Sequence, residues 1–434
     1  MWRMVTIGGI DPSGGAGVEL DVKVGEAFDV HVHPIATMIT YQTPTEYYGG
    51  QCLDVSTIVR QIQPYTMLKY WKTGALCNEE ILRTILDLSI KNNNHLIVDP
   101  VLKAGVGGTL FDGDPNAYRD LLSHAFAVTP NIPEAEILTN VKVKDEDDML
   151  RVAQRLSEMG PELVVLTGGH LGDSKLVDVI YYKGNYALLH GSKVNINLHG
   201  SGSALASALT ALLAKGEDPF IAARKAIGFT RLLHKFARDV GGYVPDPLFS
   251  HRLAIARFEC HERYRAFIKW LESLPYEKAK KIAPEVGLNV ACSVPKEVSR
   301  SVGTVMGVPG RLHLTPNGLR RLECPWWGGS DHMARLLLSA RKYGEVNVAM
   351  NVRYSKENIQ ALKEAGYLVV EVDRSKQPRG VKTMGWVVEE AVKKTGRLPD
   401  VIYDRGYYGK EAMIRLLAKD LCDLKQMVLA ILNY

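Results

Sequence analysis

The sequence predicts an α/β chain: a mostly parallel sheet flanked by helices, followed by a second, smaller α/β domain. Three observations carry this. Short apolar runs alternate with helix-like stretches throughout the first half, which implies right-handed βαβ units. At 434 residues the chain exceeds one typical core, so two domains are expected. After residue 240 the texture changes. G241-G-Y-V-P-D-P-L248 is rich in Gly and Pro and breaks helix, and a new βα pattern follows it. The boundary is placed near 250, giving domains 1–250 and 251–434.

In order, strands are predicted at Met4–Gly8, Ile35–Thr40, Met67–Thr73, His95–Val101, Ala125–Thr129, Leu163–Thr167 and Val177–Tyr182. Helical stretches include Val18–Phe28 and the apolar Ala204–Lys215. Open α/β sheets bind ligands outside the carboxyl ends of their strands. Asp99 ends L96-I-V-D99 and Asn131 follows A127-V-T-P, so both are placed at such ends. The second domain opens with a helix over His251–Leu274. Strands are predicted at Val346–Met350, Leu368–Val372 and Val401–Tyr403, with helices at Ser355–Ala365, Trp386–Thr395 and Gly409–Ala418. The sequence carries no internal repeat and no low-complexity tract.

Composition is ordinary, at 46% hydrophobic and 23% charged residues, which excludes disordered and fibrous classes. A net charge of +5 is mild for this length and argues against a dedicated nucleic-acid binder. It suits anionic small substrates. The longest apolar stretch, Ala204–Ala214, is too short to span a bilayer, so no membrane association is expected. The start, M-W-R-M-V-T-I, runs straight into a strand, and a cytoplasmic location without a signal peptide is expected. The six cysteines form no C-x-x-C pair, so reduced, mostly buried thiols are expected rather than a zinc site or disulfide framework. Abundant Lys, Arg and Glu with scarce Gln hint at a thermophile, where a disulfide stays open.

Residues 8–17 read G-G-I-D-P-S-G-G-A-G, between an apolar run and a helix-like stretch. A Gly-rich turn feeding a helix exposes backbone N–H groups at the positive end of the helix dipole. It is neither the dinucleotide fingerprint nor a P-loop, since the third glycine and the Gly-Lys-Ser/Thr are missing. Alone it reads equally as a structural turn or a ligand loop. With Asp21, T40-Y-Q-T-P44, I97-V-D-P-V101, T129-P-N-I-P-E-A-E136 and H199-G-S-G-S203, the first 245 or so residues resemble hydroxymethylpyrimidine (phosphate) kinase, of the ribokinase-like family.

That resemblance implies ATP and Mg2+ as cofactors. Phosphoryl transfer to an alcohol needs a phosphate clamp, a metal and a way to remove the alcohol proton. The segment Gly200, Ser201, Gly202, Ser203 precedes the apolar helix, so its amides are candidates for an anion hole. The plainer reading is a helix capped by Ser201 or Ser203. By resemblance, Asp99 and Glu134 serve the metal, and Asn131, Thr167, His199 and Ser201 lie on the nucleotide side. Asp21 and Gln42 match positions that hydrogen-bond the aminopyrimidine, with Gly9 and Ala75 on the same substrate side.

Three positions depart from the family pattern. Its G-T-G-C-T is G200-S-G-S-A204 here, so the expected base is Ser203 instead of a thiol of pKa roughly 8.5. A phosphate-directed Lys is Thr167, in V165-L-T-G-G-H170. A pocket Met is Ala75, in K72-T-G-A-L76, which enlarges the pyrimidine site. The first two changes are each expected to slow transfer by about 10²-fold, unless His199 takes the proton or positioning suffices.

In the second domain, N351-V-R-Y-S355, V372-D-R374 and P399-D-V-I-Y-D-R-G-Y-Y-G-K-E411 resemble the archaeal thiamine-phosphate synthase domain, often fused to this kinase. G328-G-S-D-H-M-A-R335 is a looser match, with Asp331 where the family carries Arg. The implied chemistry displaces diphosphate from a pyrimidine methyl carbon by a thiazole nitrogen, and needs anion clamps rather than a nucleophile. Arg353, Ser355, Arg374, Arg405 and Lys410 are the substrate-binding candidates, with Arg311, Arg320 and Arg321 as further cations. Asp404 is a candidate to hold Mg2+ or to pair with Arg405, and the ion pair is the expectation. The expected partners are hydroxymethylpyrimidine and the thiazole phosphate, and a homo-oligomer is expected. Two other readings stand: a weakened kinase-like module with a thiamine-phosphate-sensing domain, or a kinase for a related vitamin alcohol such as pyridoxal.

Overall fold

The computed structural model describes every residue except 106, 170–174, 300, 379–382 and 408–410. It divides into two compact units, Met1–Leu248 and Phe249–Tyr434.

The first unit is built on nine strands: β1 Trp2–Ile10, β2 Val30–Gln42, β3 Tyr47–Cys52, β4 Tyr70–Thr73, β5 His95–Val98, β6 Ala125–Val128, β7 Leu163–Thr167, β8 Lys175–Tyr182 and β9 Asn185–Ser192. Their order is β9-β8-β7-β6-β5-β4-β1-β2-β3. The six central strands run parallel. The hairpin strands β3, β8 and β9 add antiparallel edges. Of these, β3 and β9 lie outside the strands predicted from sequence. Helices on both faces account for the continuous apolar runs. In β7, Val164 and Leu166 enter one core while Leu163 and Val165 enter the other. Three helices matter for the site: α1 Gly17–Ala27, α2 Ile132–Thr139 and α3 Ser201–Ala214. Helix α3 is buried from Ala204 through Leu213, as a helix apolar on every side must be.

The second unit opens with α4, Phe249–Glu272. Its sheet contains β10 Val290–Ser293, β11 Val305–Gly307, β12 Trp326–Trp327, β13 Val348–Arg353, β14 Val369–Glu371, β15 Val401–Asp404 and β16 Met413–Ala418. The order is β12-β11-β10-β13-β16-β15-β14. Only β14 and β15 pair in parallel. The helix expected over 409–418 is corrected here. Its described part contains β16, between β13 and β15. M413-I-R-L-L-A418 consists of good helix formers, but all six residues are buried and the run is strand-length. The unit also holds helices α5 Asp331–Ala340, α6 Lys356–Glu364, α7 Thr383–Thr395 and α8 Leu421–Asn433, a shorter helix over Tyr276–Ile282, and a separate hairpin of Leu312–Thr315 and Gly318–Arg321. Among the described residues no helix is long and apolar enough to cross a membrane.

The expectation of reduced cysteines is also corrected. Cys52 at the end of β3 is disulfide-bonded to Cys77, with Cα atoms 5.9 Å apart. The pairing tethers the edge strand to the segment following Ala75. Scattered sequence positions gave no sign of it, because the two cysteines meet only through sheet topology.

Candidate active sites

In the first unit, the loops after β1 and before α3 pack backbone to backbone. Gly200 has φ +86, and a Cβ there would stand 2.0 Å from the Gly15 carbonyl oxygen. Only glycine fits. Gly200 is the N-cap of α3 and no side chain caps the helix, so the first-turn amides of Ser201, Gly202 and Ser203 are left for an anion. The capped-helix reading is therefore not what the structure shows. Asp99, just past β5, faces this turn: a Cβ on Gly202 would lie 3.9 Å from its Oδ1.

The loop after β1 is held by Asp11. Its carboxylate accepts from Ser13 and Ala16 and meets His199 Nε2 at 2.9 Å. Burial raises the Asp11 pKa, but the hydrogen bonds from His199 and Ser13 outweigh it and hold the carboxyl at about 2. The other ring nitrogen of His199 is buried without a protein partner. So are Gln42 Oε1, Thr73 Oγ1 and Thr129 Oγ1, at or just past the ends of β2, β4 and β6. Buried polar atoms left unpaired at one end of a parallel sheet mark a place where a ligand supplies the partners.

Asn131 and Glu134 form a capping box at the start of α2, with Asn131 Oδ1 accepting from the Glu134 amide at 2.9 Å. A bridge with Thr167 brings Asn131 to the end of β7. Burial raises the Glu134 pKa to about 8 with help from the Asp99 charge. Burial likewise raises Asp99 to about 6, with Asp21 adding to the shift and Lys72 opposing it. A buried carboxylate, Asp99, beside a half-buried one, Glu134, whose proton its charge helps to hold, suits a hard divalent cation. Mg2+ is typically held by one or two carboxylates, with phosphates and water completing its shell. Among the described residues no three metal-binding side chains gather.

Asp21 departs from its expected place. It is fully buried in a polar knot and does not line the cleft as a ring-reading carboxylate. Its oxygens accept from Ser203 Oγ at 2.8 Å, from Lys72 Nζ at 2.9 and 3.1 Å, and from Thr6 and Ser207. Lys72 also donates to Ser203 Oγ at 3.0 Å. Lys72 is a residue the sequence reading missed. It stands in the quoted K72-T-G-A-L76, but a lysine on a strand reads as surface charge, and only the fold buries it. On the remaining substrate side, the Ala75 carbonyl accepts from Thr37 Oγ1 at 2.6 Å, and a Cβ on Gly9 would meet Met38 at 3.1 Å.

In the second unit, the register aligns Arg353 with Met413 and Met413 with Asp404, so these residues share one end of the sheet. Asp404 is fully buried. It pairs with Arg415 Nη1 at 2.7 Å and with Arg374 Nη1 at 3.7 Å, not with Arg405 as expected. Arg405 instead pairs with Glu371 at 2.8 Å on the surface. The Nε of Arg374 is buried without a protein partner. Desolvation of the ring and the charges of Arg415, Arg311 and Arg374 hold the imidazole of the exposed His332 down at about 4. Three arginine charges thus act on one neutral histidine, an electrostatic setting for anionic groups. Arg353 is exposed, and Ser355 is taken up capping α6. Arg320 and Arg321 hold the residue-272 carbonyl and carboxylate. Lys410 lies outside the described residues. Arg415 was missed because it sat in the segment read as helix. A cavity of about 480 Å3 among Tyr343, Leu398 and Lys419 opens at the opposite end of this sheet.

Residues 11–244 match the phosphomethylpyrimidine kinase family, and residues 265–430 match thiamine-phosphate synthase ThiN. The chain is 29% identical to a bifunctional thiamine biosynthesis protein ThiDN of Methanocaldococcus jannaschii, covering 98% of this chain and 97% of that one. It is 33% identical to a hydroxymethylpyrimidine/phosphomethylpyrimidine kinase of Bacillus subtilis, over 58% of this chain and 96% of the relative. Among solved structures, pyridoxal kinase of Staphylococcus aureus in complex with pyridoxal superposes with a TM-score of 0.53 at 27% identity, covering 57% of this chain and 93% of that one. An ADP complex of Bacillus subtilis pyridoxal kinase gives the same score and identity, over 57% and 98% of the two chains. The chain belongs to the phosphomethylpyrimidine kinase family and continues into a thiamine-phosphate synthase domain of the ThiN type.

Proposed function

We propose that the first unit transfers the γ-phosphoryl group of ATP to hydroxymethylpyrimidine and then to its phosphate. The second unit then joins the diphosphate to hydroxyethylthiazole phosphate, giving thiamine phosphate. The observation that carries this reading is the uncapped start of α3 set against buried Asp99 and half-buried Glu134. The amides of Ser201, Gly202 and Ser203 receive the transferred group's oxygens, where charge grows in the transition state. Asp99 and Glu134 would hold Mg2+, which when bound would neutralise phosphate charge. Asn131 orients Glu134 through the capping box. Gln42 offers its buried oxygen to the ring amine, and Ser203 faces the reacting hydroxyl.

In the second unit, Arg374 and Arg311 take the departing diphosphate and the thiazole phosphate, with the buried charge of Arg415 behind them. His332, neutral at working pH, adds a hydrogen bond without further charge. Asp404 keeps Arg374 and Arg415 fixed, so little side-chain freedom is lost on binding. The test is a mixture of the full chain, MgATP, hydroxymethylpyrimidine and the thiazole phosphate, followed for thiamine phosphate.

A second reading is favoured by Ala75, which stands where the family it resembles carries a bulkier Met. It is also favoured by 32% identity to a pyridoxine kinase of Bacillus subtilis over 50% of this chain and 84% of that one. In that reading the first unit also phosphorylates pyridoxal, and pyridoxal as the acceptor alcohol in the same assay tests it.

A further inference from the structure

Ser203 is a poor proton acceptor by itself, because an unassisted hydroxyl gains a proton only at very low pH. The structure does not leave it unassisted. Its Oγ donates to Asp21 Oδ1 at 2.8 Å and receives a hydrogen bond from Lys72 Nζ at 3.0 Å. Asp21 and Lys72 are almost wholly buried, and they pair at 2.9 Å. Asp21 is also fixed by Thr6 and Ser207, so neither oxygen is free to turn into the cleft. Of the side chains that hydrogen-bond Asp21, Ser203 is the one in the first turn of α3, at the anion hole.

We propose that Ser203 is a proton relay and Asp21 the terminal proton acceptor of alcohol phosphorylation, with Lys72 positioning both. The inference rests on the kinase reading above. As the alcohol oxygen forms its bond to the γ-phosphorus, the bond from that phosphorus to the ADP oxygen breaks, and its electron pair leaves with ADP. The alcohol proton passes to Ser203 Oγ, and the proton already on Ser203 passes to Asp21. Asp21 returns a proton to solvent through Ser203 after product leaves. Lys72 keeps its charge throughout, so the knot never carries a net negative charge against the incoming phosphates.

The relay has a consequence that a structural role lacks. The second phosphorylation uses an acceptor phosphate oxygen, already anionic at pH 8, since its second pKa is about 6. It needs no proton removal. Asp21→Asn is therefore expected to lower kcat for the hydroxymethyl substrate about 100-fold or more. The kcat for the monophosphate should stay within about threefold, as should KM for both acceptors, since transfer itself depends on positioning and electrostatics. Ser203→Cys supplies a group that takes the proton itself. Adding Asp21→Asn to Ser203→Cys should then cost less than about fivefold, because a thiol is a competent base without help. Equal losses in both phosphorylations, equal losses in the Ser and Cys backgrounds, or a change confined to KM would overturn the relay while leaving the kinase reading intact. If Asp21→Asn fails to fold, single-turnover alcohol phosphorylation by wild type in mixed H2O and D2O decides. Two protons in flight give a bowed dependence of rate on deuterium fraction. A linear or flat one overturns the relay. A wild type that makes no phosphorylated product overturns the kinase reading, and the relay falls with it.

Discussion

Arg415 and Asp404, eleven residues apart, meet at 2.7 Å between two central strands of the second sheet, both almost fully buried. The pair is possible only because 413–418 is a strand. It fixes one end of the arginine group and ties the fold of this unit to its chemistry. Removing Arg415 leaves the buried Asp404 charge with only the longer contact to Arg374 at 3.7 Å. Arg415→Met is expected to destabilise the second unit by about 3 kcal/mol, read from urea unfolding of the full chain. A midpoint within error of wild type would show that the pair contributes nothing.

The buried and the exposed arginine should separate in kinetics. Arg374 is largely buried with a free Nε, whereas Arg405 is exposed and already paired with Glu371. Arg374→Ala is expected to lower kcat/KM of the synthase reaction about 10²-fold, as for loss of one transition-state anion donor. Arg405→Ala should change it by less than about threefold, as for an exposed ion pair. The opposite ranking would return the site to the surface loop.

Stability should depend on pH through Glu134 and Asp99. In the metal-free chain both carboxyls titrate higher when folded, at about 8 and about 6 against ordinary values of 4.5 and 3.8. A raised carboxyl favours the folded state at low pH, where it is neutral in both states. That contribution is lost as pH rises through the folded values. The Tm in EDTA is therefore expected to fall between pH 5 and pH 8, and Mg2+ at pH 8 should restore it. Asp11, held at about 2, acts only below this window and with the opposite sign. Glu134→Gln should flatten the slope, and an unchanged slope would remove Glu134 from the metal site.

Much of this was legible in the sequence, for reasons that can be named. Parallel strands buried on both faces appear as continuous apolar runs, so β1, β5, β6 and β7 stand out. Glycines that allow backbone contact, such as Gly200 against Gly15, mark their loop directly. What escaped depends on tertiary partners. Lys72 looks like any strand lysine until Asp21 is placed beside it. The segment 413–418 has a composition that fits either element, and only its place between β13 and β15 decides. The edge strands β3 and β9 lack the two-sided apolar signal, because each leaves much of its surface to solvent.

The pyrimidine pocket should respond to Gln42 and Ala75 separately. Gln42→Ala removes a buried acceptor with no protein partner. It is expected to weaken pyrimidine binding by about 1–3 kcal/mol while leaving KM for ATP unchanged. Ala75→Met refills the space beside the ring and should raise KM for pyridoxal more than KM for hydroxymethylpyrimidine. Equal effects on both acceptors would mean that Ala75 does not set the width of the site.

The most direct measurement is a single incubation of the full chain with MgATP, hydroxymethylpyrimidine and hydroxyethylthiazole phosphate, with products followed in time. Hydroxymethylpyrimidine phosphate should rise first, then its diphosphate, then thiamine phosphate as both substrates are consumed. Supplying synthetic diphosphate should bypass the first unit and give thiamine phosphate without ATP. Absence of thiamine phosphate under both conditions, from folded protein that binds it, would contradict a bifunctional enzyme and leave a binding protein in its place.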